Sequence, residues 1–505
     1  MTPAETPEET EQRVGLILAC VATVLLLASL GQTSVSPAFP TIAAELGGLD
    51  RISWLVTAYL LASTISAPIC GKLGDLFGRK IVIQVGIVIF LGGSVVAGLG
   101  QTLEMVTLGR AIQGLGGGGL IVTAMAVVAD VLPARRRGRV QGMMGGVFGV
   151  STVIGPLIGG FLVEQLSWHW IFFFNLPLGL AVLVILQLIL RRAPPRARPP
   201  VDYMGAALLA TLLSCGVLIA NLGGRTLAWD SGALLTLALL GVAAVAGFIV
   251  TEARAREPIL PLTLFANNNF VLLNLWGMIS GAAMFGTITF MPLYLQVVQG
   301  VTPTVSGMFL LPMMAGIMGS SILAGQVMVA TGRYKFLPIM AAAALTVAML
   351  LMATLAPDTP LWQVAVFMAA VGLGIGPAMS VGATAIQNAV ASSMLGVATA
   401  SANMFRLIGG SIGTSVFGAM FASGLQARLA GEQARGALGD LRALDAATVA
   451  NLPPDLRDTV LRAFSEVLHP IFLIAAALSV VAGLASLALK EVPLSTILPN
   501  PPPEA

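Results

Sequence analysis

The chain has 505 residues, of which 57% are hydrophobic and 10% charged, with a net charge of +3 at pH 7. A soluble domain carries about 25% charged residues, and the mean hydropathy here is +0.92, so composition excludes a soluble globular protein and implies a polytopic membrane protein. The small positive balance gives no nucleic-acid signal, because the cations sit between apolar runs. Cys20, Cys70 and Cys215 lie far apart inside those runs, with neither disulfide nor metal spacing.

A membrane-spanning helix needs about 20 apolar residues. Runs of that kind predict fourteen helices, near 14–36, 54–70, 81–100, 105–129, 140–163, 170–190, 203–223, 232–251, 270–297, 304–328, 336–355, 361–387, 396–423 and 469–489. The acidic, polar start, Met1 to Gln12, does not read as a cleavable signal, so the first helix is expected to stay as an anchor. Cytoplasmic loops are richer in Lys and Arg than outer ones. With the N-terminus inside, the inner loops hold Lys72/Arg79/Lys80, Arg135/Arg136/Arg137/Arg139, Arg191/Arg192/Arg196/Arg198, Arg254/Arg256 and Arg333/Lys335. The short outer loops hold only Arg51 and Arg225. An even helix count with both termini cytoplasmic follows, in an inner membrane. The stretch 425–468 is read as a long outer loop whose first half forms a short amphipathic helix, ended by Asn451-Leu452-Pro453-Pro454. It is either a plain solvated loop or a place for a partner, such as a periplasmic adaptor, to dock. The Pro-rich tail from Pro493 is expected to be disordered.

Between the second and third runs stands Gly71-Lys72-Leu73-Gly74-Asp75-Leu76-Phe77-Gly78-Arg79-Lys80. It reads as a polar turn whose glycines allow reversal and close helix approach, and whose Asp75 can pair with an Arg or cap a helix start. A weaker copy recurs at Gly325 to Lys335, where Gly332-Arg333 repeats Gly78-Arg79 and Val329 replaces the acid. The first stretch resembles the signature between the second and third helices of the major facilitator superfamily. That resemblance implies an all-α membrane fold of two six-helix half-bundles, here 14–190 and 270–490, related by an axis along the membrane normal. The segment 191–269 is then a basic, Pro-rich linker with two inserted helices, and 1–13 and 491–505 are cytoplasmic tails. It also implies that Gly71, Asp75, Gly78 and Arg79 take part in conformational switching.

In the fourth run, Arg110-Ala-Ile-Gln113-Gly114-Leu-Gly116 resembles the superfamily's fourth-helix signature, whose Arg is linked to proton transfer. A charge within a span usually faces a water-filled cavity. The other reading is that Arg110 snorkels to the nearby outer interface. In the fifth, Gly155-Pro156-Leu-Ile-Gly159-Gly160 resembles the Gly-Pro motif of the superfamily's antiporters, with Ser151 standing where one glycine belongs. The resemblance gives Gly155, Pro156 and Gly159 a switching role; a merely bent helix is the alternative. The sixth opens with Trp168-His169-Trp170-Ile171-Phe172-Phe173-Phe174-Asn175-Leu176-Pro177-Leu178-Gly179. With Ser53-Trp54-Leu-Val-Thr57-Ala-Tyr59, this resembles the fourteen-helix drug:proton antiporter family over nearly the whole chain. His169 replaces a family Arg and reads as an interfacial belt residue.

The first helix departs from that pattern. Leu30-Gly31-Gln32-Thr33-Ser34-Val35 resembles the family's Leu-Asp-x-Thr-Ile-Val, but Gly31 holds the position of the acid that usually binds the proton or cation. No other Asp or Glu falls near mid-membrane; the spans offer Arg110 and, near the middle of its helix, Arg406 instead. Cationic cargo needs a buried carboxylate to offset desolvation, so the cavity is expected to favour neutral or anionic amphipathic substrates. Arg406 either lines that cavity or packs against carbonyls. Cavity candidates are Gln32, Tyr59, Arg110, Gln113, Asn274, Trp276, Phe285, Tyr294, Gln387, Asn403 and Arg406, with many Met residues suited to a permissive site. Arg110 and Asp75 are the proton-coupling candidates.

The expected function is therefore proton-coupled export of small amphipathic compounds across the bilayer. Export of a specific endogenous metabolite or lipid, and facilitated flux without proton coupling, remain open. There is no phosphate-binding loop, no metal or cofactor site and no catalytic constellation, so an enzyme is not expected.

Overall fold

The computed structural model describes residues 7–47, 54–189, 201–223, 227, 230–434, 449 and 451–494. Among them the chain is helical, and its only β feature is an isolated bridge between Gly223 and Leu227. Lipid offers the backbone no hydrogen-bond partners, so each apolar run must satisfy its own peptide groups, and a helix does so.

The first half holds α1 (Pro7–Thr33), α2 (Trp54–Phe77), α3 (Arg79–Gly98), α4 (Leu103–Val131), α5 (Ala134–Gln165) and α6 (Asn175–Ile189). The inserted pair is α7 (Tyr203–Leu222) and α8 (Gly232–Glu252). The second half holds α9 (Asn268–Val297), α10 (Leu310–Thr331), α11 (Phe336–Met352), α12 (Leu361–Pro377), α13 (Leu395–Ala434) and α14 (Pro454–Leu487). A π-helical turn, Ala378–Gly382, carries α12 on into Ala383–Asn388. Among the described residues thirteen helices are long and apolar enough to cross a membrane, α6 counting with the turn before it as Trp170–Ile189, and α11 is a shorter apolar helix of 17 residues. Together they make the expected fourteen. Within the halves α4 packs on α2 and α3, and α13 on α9; between them α2 meets α13 and α5 meets α10. The inserted α7 lies against α2 and α13.

Several sequence expectations change. The predicted polar turn at 71–80 is nearly all helix: α2 continues through Gly71 to Phe77, and Gly78 alone, at φ +92°, makes the reversal. Lys72 and Asp75 can stay helical because partners from other segments satisfy them. Arg135, Arg136, Arg137 and Arg139 lie in the first turns of α5, not in a loop. Residues 7–13 belong to α1 rather than to a tail. The expected outer loop is largely an extension of α13 and α14: Leu425 and Leu429 share a core with Val460 and Phe464, and Arg428 Nε meets Glu466 Oε2 at 3.0 Å. Pro454 begins α14, since a proline at the first helical position lacks only an N–H that no helix bond needs, while residues 435–448 and 450, on which most of the expected amphipathic helix falls, lie outside the described residues.

The tail is also tied down at its start. Leu494 N donates to Gly332 O at 3.1 Å, and Tyr334 N to Glu491 Oε1 at 3.0 Å. The buried Tyr334 hydroxyl donates to Lys490 O at 3.1 Å and accepts from Asn269 Nδ2 at 3.0 Å. Burial, and after it the Glu491 carboxylate, push that hydroxyl up to about 12. The linker arginines Arg191 to Arg198, Arg51, Arg225 and residues 495–505 lie outside the described residues.

Candidate functional site

The two halves touch closely at the end of the bundle that carries the basic residues. Gly71 is there because nothing larger fits: a Cβ would stand 2.7 Å from Gly396 O and 2.8 Å from Ala400 Cβ. This brings the end of α2 against the start of α13. The Asp75 carboxylate then accepts from Gly396 N and Val397 N, each at 3.0 Å. The first N–H groups of a helix have no intrahelical partner and carry the positive end of its dipole, so an acid from the other half caps α13. Asp75 is also ion-paired with Arg79, whose Nε reaches Asp130 Oδ2 at 3.2 Å. Asp75 thus pairs an Arg and caps a helix start at once.

The pseudo-equivalent contact joins α5 to α10. A Cβ on Gly325 would stand 2.6 Å from Arg139 Cα. Arg135 donates from Nε to Val329 O at 2.6 Å and from Nη2 to Ala330 O at 2.9 Å. A cation here meets the last carbonyls of a helix, its negative end. Just inside this end, Gln141 Nε2 donates to Gln387 Oε1 at 2.8 Å, and Gln387 Nε2 to Thr399 Oγ1 at 2.8 Å. This amide chain crosses from α5 to α13 and forms a polar floor. Gln387 appeared in the sequence only as a lone polar residue; Gln141 and Thr399 gave no signal, because a single amide or hydroxyl on an apolar helix is common.

Two cavities lie above that floor. The larger holds about 100 Å³ and is bordered by Ser29, Met125, Met144, Met379, Asn403 and Arg406 among others. The smaller is bordered by Gln32, Tyr59, Phe285, Asn403 and Arg406. A site filled by a drug-sized molecule spans roughly 300–1,000 Å³, so the halves must separate further to hold one. No described Asp or Glu borders either cavity. Arg406 donates from Nη2 to Asn403 Oδ1 at 2.7 Å and approaches Met379 Sδ at 3.7 Å, with no described carboxylate partner. The Ser29 hydroxyl, on α1 beside the larger cavity, is enclosed without a described partner.

Arg110 is placed differently from either sequence reading. It neither snorkels nor borders these cavities, being 1% exposed. Nε donates to Leu55 O at 3.1 Å, and Nη1 to Gly31 O and Gln113 Oε1, both at 2.6 Å. The guanidinium carbon stands 4.3 Å from the centre of the Tyr59 ring. Arg110 thereby ties α1 and α2 to α4 and backs the Tyr59 face of the smaller cavity. Gln113 passes its amide on to Ser94 Oγ at 2.8 Å, away from the cavities. Gly31 explains the missing acid sterically: any Cβ there would lie 2.4 Å from Phe90 Cζ.

Three further cavity candidates fall elsewhere. Trp276 packs with Ile279, Ala341 and Ala482. Asn274 bonds the Phe270 carbonyl within its own helix at 2.8 Å. Tyr294 donates to Ala356 O at 2.7 Å, near the far end of α9. All three lie on α9 facing neighbouring helices, a distinction that residue type and period alone do not make. Gly155 and Gly159, flanking Pro156, accept the end of α1: Cβ atoms there would meet Thr33 Oγ1 at 2.1 Å and Ser34 O at 2.0 Å.

Two helical half-bundles, joined at one end by capping contacts and parted by a central cavity, define a membrane transporter. The sequence pattern of the Major Facilitator Superfamily matches residues 21–414, and the chain belongs to that superfamily. An uncharacterised MFS-type transporter of Mycobacterium tuberculosis is 40% identical over 489 residues, 96% of this chain and 71% of its own length. The multidrug transporter protein MdtP of Bacillus subtilis is 37% identical over 406 residues, 80% of this chain and 74% of its own. Multidrug resistance protein 3 of the same organism is 30% identical over 474 residues, 92% and 91% of the two chains. Among solved structures, the human organic anion transporter MFSD10 superposes with a TM-score of 0.60 at 14% identity, over 94% of this chain and 100% of that one. The proton:xylose symporter XylE gives 0.62 at 14% identity, over 94% and 95%. At such identity these two likenesses show the fold alone.

Proposed function

We propose that this transporter exports small amphipathic compounds, neutral or anionic in preference to cationic, in exchange for protons. The observation that carries the substrate preference is Arg406, a cation at the wall of both central cavities with no carboxylate facing it. A cationic cargo there meets like charge in a low-dielectric site and gains no counter-ion. An anionic group gains the guanidinium, the Asn403 amide and the Ser29 hydroxyl. Met125, Met144, Met284 and Met379 supply adaptable apolar walls. The relatives named a multidrug transporter and a multidrug resistance protein support a reading of export of varied cargo. The halves rock about this site, with Asp75, Arg79 and Arg135 closing the basic end, taken as cytoplasmic, and Gly155 and Gly159 letting α5 slide past α1. Arg110 acts on the cargo through Tyr59.

The test is flux in proteoliposomes under an imposed pH gradient, with one anionic and one cationic amphiphile, in wild type and Arg406→Gln. Anion flux should exceed cation flux and fall at least tenfold in the variant. Equal flux of the cation, unchanged by the substitution, sinks the preference. Proton movement with the cargo that vanishes in Arg110→Ala supports coupling. Flux indifferent to pH favours an uncoupled facilitator, a reading to which the carboxylate-free cavity also lends weight. A second cargo reading, an endogenous lipid-like amphiphile, is favoured by the open apolar groove between α1, α5 and α10, lined by Leu26, Met143, Val150 and Met318. Competition by unrelated drugs counts against it.

A further inference from the structure

The inserted pair, α7 and α8, carries a carboxyl pair that the transport cycle described above leaves unused. Asp202 caps α7: its Oδ1 accepts from Gly205 N at 2.8 Å, while its Oδ2 is enclosed with no described partner. Glu252, the last residue of α8, is 4% exposed. Its Oε1 accepts from Ile259 N at 3.1 Å and Leu260 N at 3.3 Å, and its Oε2 is likewise enclosed with no described partner. The two carboxyl groups flank one glycine: the point where a Gly205 Cβ would stand lies 2.3 Å from Asp202 Oδ2 and 3.1 Å from Glu252 Oε1. The surroundings are apolar, with Leu209, Phe248, Ile259 and Leu260 buried in one cluster.

Two carboxylates this close beside an apolar cluster repel, and each leaves an oxygen unsatisfied. A single proton removes the repulsion, and a protonated carboxyl becomes a donor that its ionised neighbour can accept. The charges around the pair are few. Lys72 comes from α2 but is bonded to Glu257 at 2.7 Å. Asp75 and Arg79 engage each other. Arg254 and Arg256 are exposed on the turn after α8, and the cation of α13 nearest the gate, Arg406, borders the central cavities.

We propose that Asp202 and Glu252 form a proton-binding site, and that its loading governs how firmly the inserted helices hold the Asp75 gate closed. The path is short. Glu252 caps the turn that bears Glu257, and Glu257 holds Lys72, three residues before Asp75. The other inserted helix lies against both α2 and α13, which Asp75 joins, and the Ala220 carbonyl of α7 accepts from Ser415 of α13. When the proton leaves, two like charges push the start of α7 from the end of α8, and the brace on the gate loosens.

The experiment uses the full chain in lipid nanodiscs, as wild type, Asp202→Asn and Glu252→Gln. Both amides keep the acceptor oxygen that caps Gly205 or Ile259, so the folds should match in circular dichroism. Infrared difference spectra should show a protonated-carboxyl C=O band, shifted in D₂O, that disappears from wild type as pH rises and is missing in each variant. Spin labels across the basic ends of α2 and α13 should report opening with rising pH in wild type and no pH response in the variants. A wild type without the band, a band untouched in both variants, or a gate response that survives both substitutions overturns the proposal. Neither readout needs a transported substrate, so the result stands apart from the export reading.

Discussion

The two basic reversals, one in each half, do the same job with opposite chemistry. In the first, Gly78 turns the chain and Asp75 caps the start of α13 with a carboxylate. In the second, Gly332 turns the chain at φ +69°, but the counterpart of the acid is Val329. There the charge comes from the opposite helix: Arg135 of α5 binds the carbonyls that end α10. Each half therefore closes on a helix terminus, a negative group on exposed N–H donors and a positive group on exposed carbonyls. Repeat architecture preserves the backbone approach and the glycine, while the charge can sit on either side of the contact.

The comparison breaks most sharply at Asp75. Asp75→Ala leaves the buried Arg79 with only the more exposed Asp130 as counter-ion and uncaps α13, and should cost the closed state about 3 kcal/mol, seen as labelling of cysteines placed inside the basic end. Arg135→Ala removes two charge-assisted bonds to carbonyls and should cost less, about 1.5–3 kcal/mol, by the same labelling. If it costs as much as Asp75→Ala, the two ends are equal partners in the gate. Gly71→Leu and Gly325→Leu test the shared backbone approach: overpacking should weaken closure by about 1–3 kcal/mol in both, read as matching shifts in interhelix spin-label distance. A large difference between them would show that one contact alone sets the closed state. The outer braces matter least. Tyr334→Phe loses a hydrogen bond worth about 1 kcal/mol, measured by thermal unfolding in detergent. Lys72→Ala loses a half-exposed pair worth under about 1 kcal/mol, in the same measurement.

Much of the fold was legible in the sequence because lipid leaves so few alternatives. Hydropathy located the fourteen helices, the Gly78-Arg79 and Gly332-Arg333 pairs located the repeat, and the lone acid at Asp75 marked a place where a buried charge needs partners. The candidate site was legible only in part. Tyr59, Phe285, Asn403 and Arg406 do border the cavities, but Arg110, Gln113, Asn274, Trp276 and Tyr294 do not. Polar residues in a span announce that something must satisfy them. They do not announce whether that partner is a cavity, a carbonyl of the next helix or their own preceding turn.

Position 31 shows where the division falls. One chain was enough to say that an acid is missing there, that the protein spans a membrane about fourteen times, and that its halves are related. Those properties depend on local composition and period, which each segment carries by itself. That Phe90 fills the space beside Gly31, that Asp75 caps a helix more than three hundred residues away, and that Asp202 and Glu252 meet around Gly205 depend on which helices become neighbours. Such contacts arise from the summed packing of many weak interactions across the bundle, and no single stretch of sequence contains them.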